Sequence, residues 1–132
     1  MSAATTPLKV MLVEDHAAFR QALTYLLSDD PELEVVAQAG SLAEAKEALD
    51  GGGLDGDLDV AVLDLELPDG DGRVLIGPLR RSSPGIRIVV LSATVWTEQV
   101  EEVLSRVGAD AVLDKVRSYW TIAEEVRRLA GR

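Results

Sequence analysis

Residues Asp59 to Gly72 read DVAVLDLELPDGDG, and this stretch restricts the fold more than any other in the chain. Val60-Ala61-Val62-Leu63 is an apolar run suited to a buried strand. It delivers one carboxylate, Asp64, and then meets Leu67-Pro68-Asp69-Gly70-Asp71-Gly72, which cannot be regular structure. An acid at the end of a hydrophobic strand, just before a Pro/Gly-rich turn, sits at the mouth of a sheet. Asp64 is therefore the candidate reactive group.

The rest of the chain alternates around that strand. Leu8 to Val13 reads as another buried strand, with Glu14-Asp15 at its end. Phe19, Ala22, Leu23, Leu26 and Leu27 then share one apolar helix face. That helix should stop near Asp29-Asp30-Pro31, because proline disfavours helical geometry in the residue before it. Val35-Val36-Ala37 is the second strand. Ser41-Leu42-Ala43-Glu44 has the capping-box pattern, and the helix it opens should end near Asp50-Gly51 with a left-handed glycine cap. Gly51 to Asp57 is a loop. After the third strand, Asp59–Leu63, the segment Arg73–Arg81 should be helical but contains Gly77-Pro78. A proline there conflicts with the turn near Val74, so a short or kinked helix is expected.

Ile86 to Leu91 has almost no polar break, as in a strand covered on both faces. Ser92-Ala93-Thr94 follow it. Val100, Val103, Leu104 and Val107 mark an amphipathic helix closed by Gly108. Ala111-Val112-Leu113 is a short last strand with Asp114-Lys115 at its end. Ser118 can cap a final helix whose inner face is Ile122, Val126 and Leu129.

Five strand–helix units imply an α/β fold, a doubly wound parallel sheet with right-handed crossovers and helices on both faces. In such sheets chemistry lies outside the carboxyl ends of the strands, at the topological switch point. Those ends carry Glu14-Asp15, Asp64, Ser92 and Lys115. The second strand ends in Gln38-Ala39-Gly40 and is placed at an edge.

A length of 132 residues suits one domain with one proper core. No apolar run approaches the ~20 residues of a membrane span, and Met1 to Pro7 lacks the basic and hydrophobic parts of a signal peptide. The absence of cysteine excludes disulfides, thiol catalysis and thiolate zinc sites, and the expected location is the cytoplasm. A net charge of −10 argues against this domain gripping a nucleic-acid backbone.

Three carboxylates converging on one pocket need a proton, a cation or both. Magnesium fits, since it prefers oxygen ligands, uses one or two carboxylates and can share a phosphate oxygen. Zinc would want His or Cys, and the single histidine is His16. A carboxylate beside such an ion, a hydroxyl and a lysine makes a phosphoryl-transfer site. Asp64 would be the nucleophile, while the metal, Ser92 and Lys115 would face the phosphoryl oxygens.

At these residues the chain resembles a response-regulator receiver domain of bacterial two-component signalling. The resemblance covers roughly Pro7 to Ala130, within a single domain spanning 1–132. It rests on Val13-Glu14-Asp15-His16, on Asp64 with Pro68 and Gly72, on Leu91-Ser92-Ala93, and on Gly108-Ala109 ahead of Lys115. It implies the flavodoxin-like strand order 2-1-3-4-5 and a phosphate accepted at Asp64 from a sensor histidine kinase. It also implies Mg2+ bound by Asp15, Asp64 and the backbone carbonyl of Glu66, with Glu14 acting through water. Ser92 would be the switch hydroxyl and Lys115 the phosphate-binding lysine. The implied readout is the face built by the last two helices and the last strand, with a homodimer as one open assembly. Asp15-His16 through Glu34-Val35-Val36 resembles the subfamily with a helix-turn-helix output domain of the LuxR type. No such domain follows before Arg132, which leaves a stand-alone receiver or, the favoured reading, a fragment of a transcription regulator.

The chain departs from that family at Val112, where a Tyr or Phe is usual, at Val116, where many members have proline, and at Gly77-Pro78. Trp96 could substitute for the missing aromatic or be plain packing. Of Tyr119 and Trp120, one is expected in the core and the other on a partner surface. Arg127, Arg128 and Arg132 suit the dipole of their own helix end. His16 is read as a first-turn residue at the pocket rim, and the acids of Asp69 to Gly72 as a solvated turn. Gly51 to Gly56 satisfies G-x-G-x-x-G but follows a helix, so it is read as a loop. Two other functions compete. A pseudo-receiver would act as a binding or dimerisation module without phosphate. An aspartyl-nucleophile phosphatase would want an Asp two residues after Asp64, where this chain has Glu66.

Overall fold

A computed structural model describes residues 6–51, 57–92, 102, 105–106, 108–115 and 119–131. Five parallel strands form the main sheet: β1 (Leu8–Val13), β2 (Leu33–Ala39), β3 (Val60–Asp64), β4 (Arg87–Ser92) and β5 (Ala111–Asp114). In space their order is β2-β1-β3-β4-β5, the doubly wound arrangement expected from the sequence. The helices are α1 (Ala17–Ser28), α2 (Leu42–Asp50), α3 (Ile76–Ser82) and a last helix, Tyr119–Ala130. None of the described helices is long and apolar enough to cross a membrane.

The period of two along each strand divides the core into two layers. Met11, Val13, Ala61, Leu63, Ile88 and Val90 face α2 and α3. Val10, Leu12, Val60, Val62, Val89 and Leu91 face α1 and the last helix. Every residue of β3 is buried, as a central strand covered on both faces requires. Asp64 and Ser92 are the final residues of β3 and β4, so each of these candidate side chains is held by a ladder rather than a loop.

The loop after β3 is more ordered than its composition suggests. Glu66–Leu67 and Gly70–Asp71 form a two-residue antiparallel ladder, followed by a 3-10 turn at Gly72–Leu75. The turn places Pro78 in the opening turn of α3, where its missing N–H costs little. The short helix expected from Gly77-Pro78 is thus observed, with the irregularity upstream of the proline.

Several local details differ from expectation. Gly51 has φ −76°, a right-handed conformation, so it is not a left-handed cap. The Glu44 carboxylate accepts from the N–H of Gly40 at 2.7 Å rather than from Ser41, while Ser41 Oγ accepts from Glu44 N–H at 3.1 Å. Asp69 is no mere solvated turn: its two oxygens accept from Leu42 and Ala43 N–H at 2.8 and 3.0 Å, capping α2 from the loop beyond Asp64. Neither Tyr119 nor Trp120 is core, at 41 % and 64 % exposed. Arg127 serves another helix than its own, donating to Leu26 O at 2.9 Å and pairing with Asp30 at the end of α1. Gly108 has φ +101°, a backbone conformation that favours glycine. Ala93, Thr94, Trp96, Val100, Val103, Leu104, Val107, Val116, Ser118, Arg132 and most of the Gly51–Asp57 loop lie outside the described residues.

Candidate functional site

Four of the residues singled out from the sequence meet above the carboxyl ends of the strands. Three strand ends deliver them, which explains why residues from distant parts of the chain meet here. Glu14 and Asp15 follow β1, Asp64 ends β3, and Lys115 follows β5. Oxygens of Glu14, Asp15 and Asp64 lie within 4.8 Å of one another. Glu14 is 0 % and Asp64 1 % exposed, whereas Asp15 opens to solvent at the rim.

The protein supplies fixed partners for these charges. Lys115 Nζ donates to Asp64 Oδ2 at 3.1 Å and pairs with Glu14 Oε1 at 2.8 Å. The backbone N–H of Glu66 donates to Asp64 Oδ1 at 3.0 Å, and that of His16 to Glu14 Oε2 at 2.8 Å. Burial is the largest influence on both carboxyls and pushes them above the ordinary range. For Asp64 the Glu66 N–H and Lys115 pull back, while a side-chain hydrogen bond with Asp15 raises it further. Burial opposes the charge of Lys115, but Glu14 and Asp64 outweigh it and hold the ammonium above its usual value.

This donor set suits a hard divalent cation. It is all oxygen, it sets three carboxylates against one ammonium, and Asp15 leaves one side open for water. Among the described residues, buried Glu14 Oε1 meets Lys115 Nζ at 2.8 Å. Two buried carboxylates and an acidic neighbour therefore remain short of positive charge.

Ser92 lies beside this cluster. It is 1 % exposed, paired in register with Asp114, and its carbonyl accepts from Lys115 N–H at 2.9 Å. The two strand ends that carry hydroxyl and lysine are thereby tied together. Glu66 contributes its N–H to Asp64, and its own side chain is exposed. His16 is also exposed, as the rim reading requires. Val112 is half-buried in the layer under α2 and α3.

Gly72, which ends the Pro/Gly-rich turn after Asp64, has a steric role. A Cβ there would lie 2.1 Å from the carbonyl oxygen of Asp64. Its N–H donates to Leu65 O at 2.9 Å, so the chain folds back against the backbone beside Asp64. Phe19, read only as helix core, is a second neighbour that went unnoticed. Lys115 Nζ lies 5.1 Å from the centre of its ring. Sequence gives no sign of that contact, because Phe19 fits the apolar face of α1 equally well.

Residues 10–127 match the family model described as response regulator receiver domain. The DNA-binding transcriptional activator DevR/DosR of Mycobacterium tuberculosis is 44 % identical over 125 residues, which is 94 % of this chain and 55 % of that protein. The chain therefore spans about half the length of this curated relative. The signal receiver domain of the putative response regulator NarL from M. tuberculosis superposes with a TM-score of 0.78 at 27 % identity, covering 96 % of this chain and 98 % of that one. A chain from the complex of the P1 domain of CheA3 with CheY6 of R. sphaeroides gives 0.76 at 27 % identity, covering 97 % and 100 %. With its strand order and its acidic pocket, this chain belongs to the receiver domains of two-component response regulators.

Proposed function

We propose that this receiver is phosphorylated on Asp64 and that the phosphate controls an attached or partner output. The observation that carries the reading is the position of Asp64: a buried strand-end carboxylate, bonded to Lys115 and grouped with Glu14 and Asp15. A histidine kinase is the donor. A carboxylate oxygen of Asp64 attacks the phosphorus of a phosphohistidine, an acyl-phosphate P–O bond forms, and the P–N bond breaks with its electron pair leaving on the imidazole. Lys115 neutralises one phosphoryl oxygen, and the hydroxyl of Ser92 turns towards another.

Asp15, Asp64 and the backbone carbonyl of Glu66 would hold Mg2+, with Glu14 acting through water. When bound, that ion supplies positive charge to the transferring phosphoryl group. The grouping of three carboxylates around the one Lys115 ammonium supports this assignment. Receiver chemistry of this kind is self-catalysed phosphotransfer and dephosphorylation, not turnover of a free substrate. CheY6, crystallised with the P1 domain of CheA3, supports a protein donor for this fold. The relative DevR/DosR, a DNA-binding activator, supports transcription as the output and the cytoplasm as the place.

Incubation with acetyl phosphate and Mg2+ followed by intact mass measurement tests the reading. One added phosphate is expected, and none in Asp64→Asn. An unlabelled protein, under conditions that label a control receiver, would refute it.

A further inference from the structure

We propose that Phe19 is a positioning residue that transmits the state of the Asp64 pocket to the start of the last helix, with Lys115 on one side of its ring and Tyr119 on the other. The inference rests on the phosphoacceptor reading above and concerns how the signal leaves the site.

The geometry has three parts. The ammonium of Lys115 touches both carboxylates and also lies 5.1 Å from the centre of the Phe19 ring. A cation at that distance is attracted to the ring's electron density. Phe19 in turn meets Tyr119 edge to face, with ring centres 5.1 Å apart and planes at 69°. Tyr119 is the first residue of the last helix, and Trp120 beside it is 64 % exposed. A chain of contacts thus runs from a buried carboxylate to exposed aromatic surface.

Phosphorylation changes what the ammonium faces. Asp64 then presents phosphoryl oxygens further from its backbone, and a lysine drawn towards them alters its place over Phe19. Phe19 is buried in the same core cluster as Leu23, Leu113, Ile122 and Ala123, so its ring cannot respond by moving freely into space. It can respond by re-pairing with Tyr119, whose outer side is open to solvent. A two-state shift in that ring pair biases the orientation of the Tyr119–Trp120 surface.

The placement of Val112 favours this route. Val112 packs in the layer under α2 and α3, on the opposite side of the sheet from Phe19. Its aliphatic side chain has no polar tip and no ring to reach a moved hydroxyl. Its neighbour Leu113 belongs to the layer that holds Phe19 and the last helix. Among the described residues, the aromatic contact with the pocket lies on the side of the sheet formed by α1 and the last helix.

The chain has one phenylalanine and two tyrosines, which makes the test direct. Protein labelled with 3-fluorotyrosine gives lines for Tyr25 and Tyr119, assigned with Tyr25→Phe. On loading with acetyl phosphate and Mg2+ the Tyr119 line should shift, while Tyr25, further along α1, stays as an internal control. In Phe19→Leu, loaded to the same extent by intact mass, the Tyr119 shift should be lost. A Tyr119 line that does not move when Asp64 is loaded, or moves equally in Phe19→Leu, overturns the inference. Absence of loading in the unsubstituted protein overturns the phosphoacceptor reading and this inference with it. Should Phe19→Leu not fold, 4-fluorophenylalanine at Phe19 decides: its single line shifts on loading if the proposal holds and stays if it does not.

Discussion

Gly72 leaves no room for a side chain, and the backbone it touches is that of Asp64, the proposed phosphoacceptor. A Cβ at 2.1 Å from the Asp64 carbonyl oxygen forces one of two backbone segments to move. We expect Gly72→Ala to lower stability by about 1–3 kcal/mol, the usual range for overpacking. Because the displaced group is Asp64 itself, phosphate loading should fall by roughly 10-fold to 100-fold even where the protein remains folded. Urea unfolding and acetyl-phosphate loading, measured on the same preparation, separate the two effects. Lys115 is the complementary case. It is the cation that pairs with two buried carboxylates. Lys115→Met should cost about 2 kcal/mol at neutral pH, below the ~3–5 of a fully buried pair because the carboxyls can take up a proton. The pH dependence has a definite sign. Glu14 and Asp64 titrate above the usual carboxylate range in the fold, so between that range and their raised values the folded state binds more protons. Stability then declines as pH rises from about 4 upward. Without the ammonium both carboxyls rise further, so the cost of Lys115→Met should be small near pH 4 and grow as pH rises.

Elements are joined here by contacts that patterning does not reveal. Arg80 of α3 donates to Ile86 O at 2.7 Å, to the carbonyl of Gly108, and pairs with Asp110 at 3.1 Å. Asp110 also accepts from Ile88 N–H at 2.7 Å. One guanidinium therefore fastens α3, the start of β4 and the approach to β5. Arg80→Met keeps the stem and removes the charged donors, and should cost about 2 kcal/mol in chemical denaturation. A loss within a few tenths would show that the clamp is only a surface contact. The strands and the periodic helices were legible because a period of two or of 3.6 is a property of the sequence alone. Ser92 and Asp64 were legible for the same reason, as polar residues that end apolar runs. The capping of α2 by Asp69 was not, since it joins residues 27 apart in the chain. Arg127 lies in the last turn of its own helix as expected, whereas its further reach to Leu26 and Asp30 depends on how two helices pack and is not visible in sequence. Phe19 was legible as core and hidden as a neighbour of Lys115. The exposure of both Tyr119 and Trp120 likewise depends on how the last helix sits on α1.

For the molecule as a whole, excess negative charge collects where the fold can use it. The net charge is −10, and three carboxylates meet at one end of the sheet. A divalent cation that binds only the folded state should stabilise it by about 2.7 kcal/mol at a hundredfold excess over its dissociation constant. Millimolar Mg2+ should therefore raise the melting temperature, NaCl of matched ionic strength should not reproduce the rise, and Asp15→Asn should remove most of it. Equal gains from both salts would reduce the effect to general screening. The location of the phosphoryl group remains the most direct test. Borohydride reduces an aspartyl phosphate to homoserine, which peptide mass mapping places on a single residue. After loading with acetyl phosphate and Mg2+, homoserine at position 64 is the expected result. Homoserine elsewhere, or its formation in Asp64→Asn, would contradict the assignment of Asp64 as phosphoacceptor.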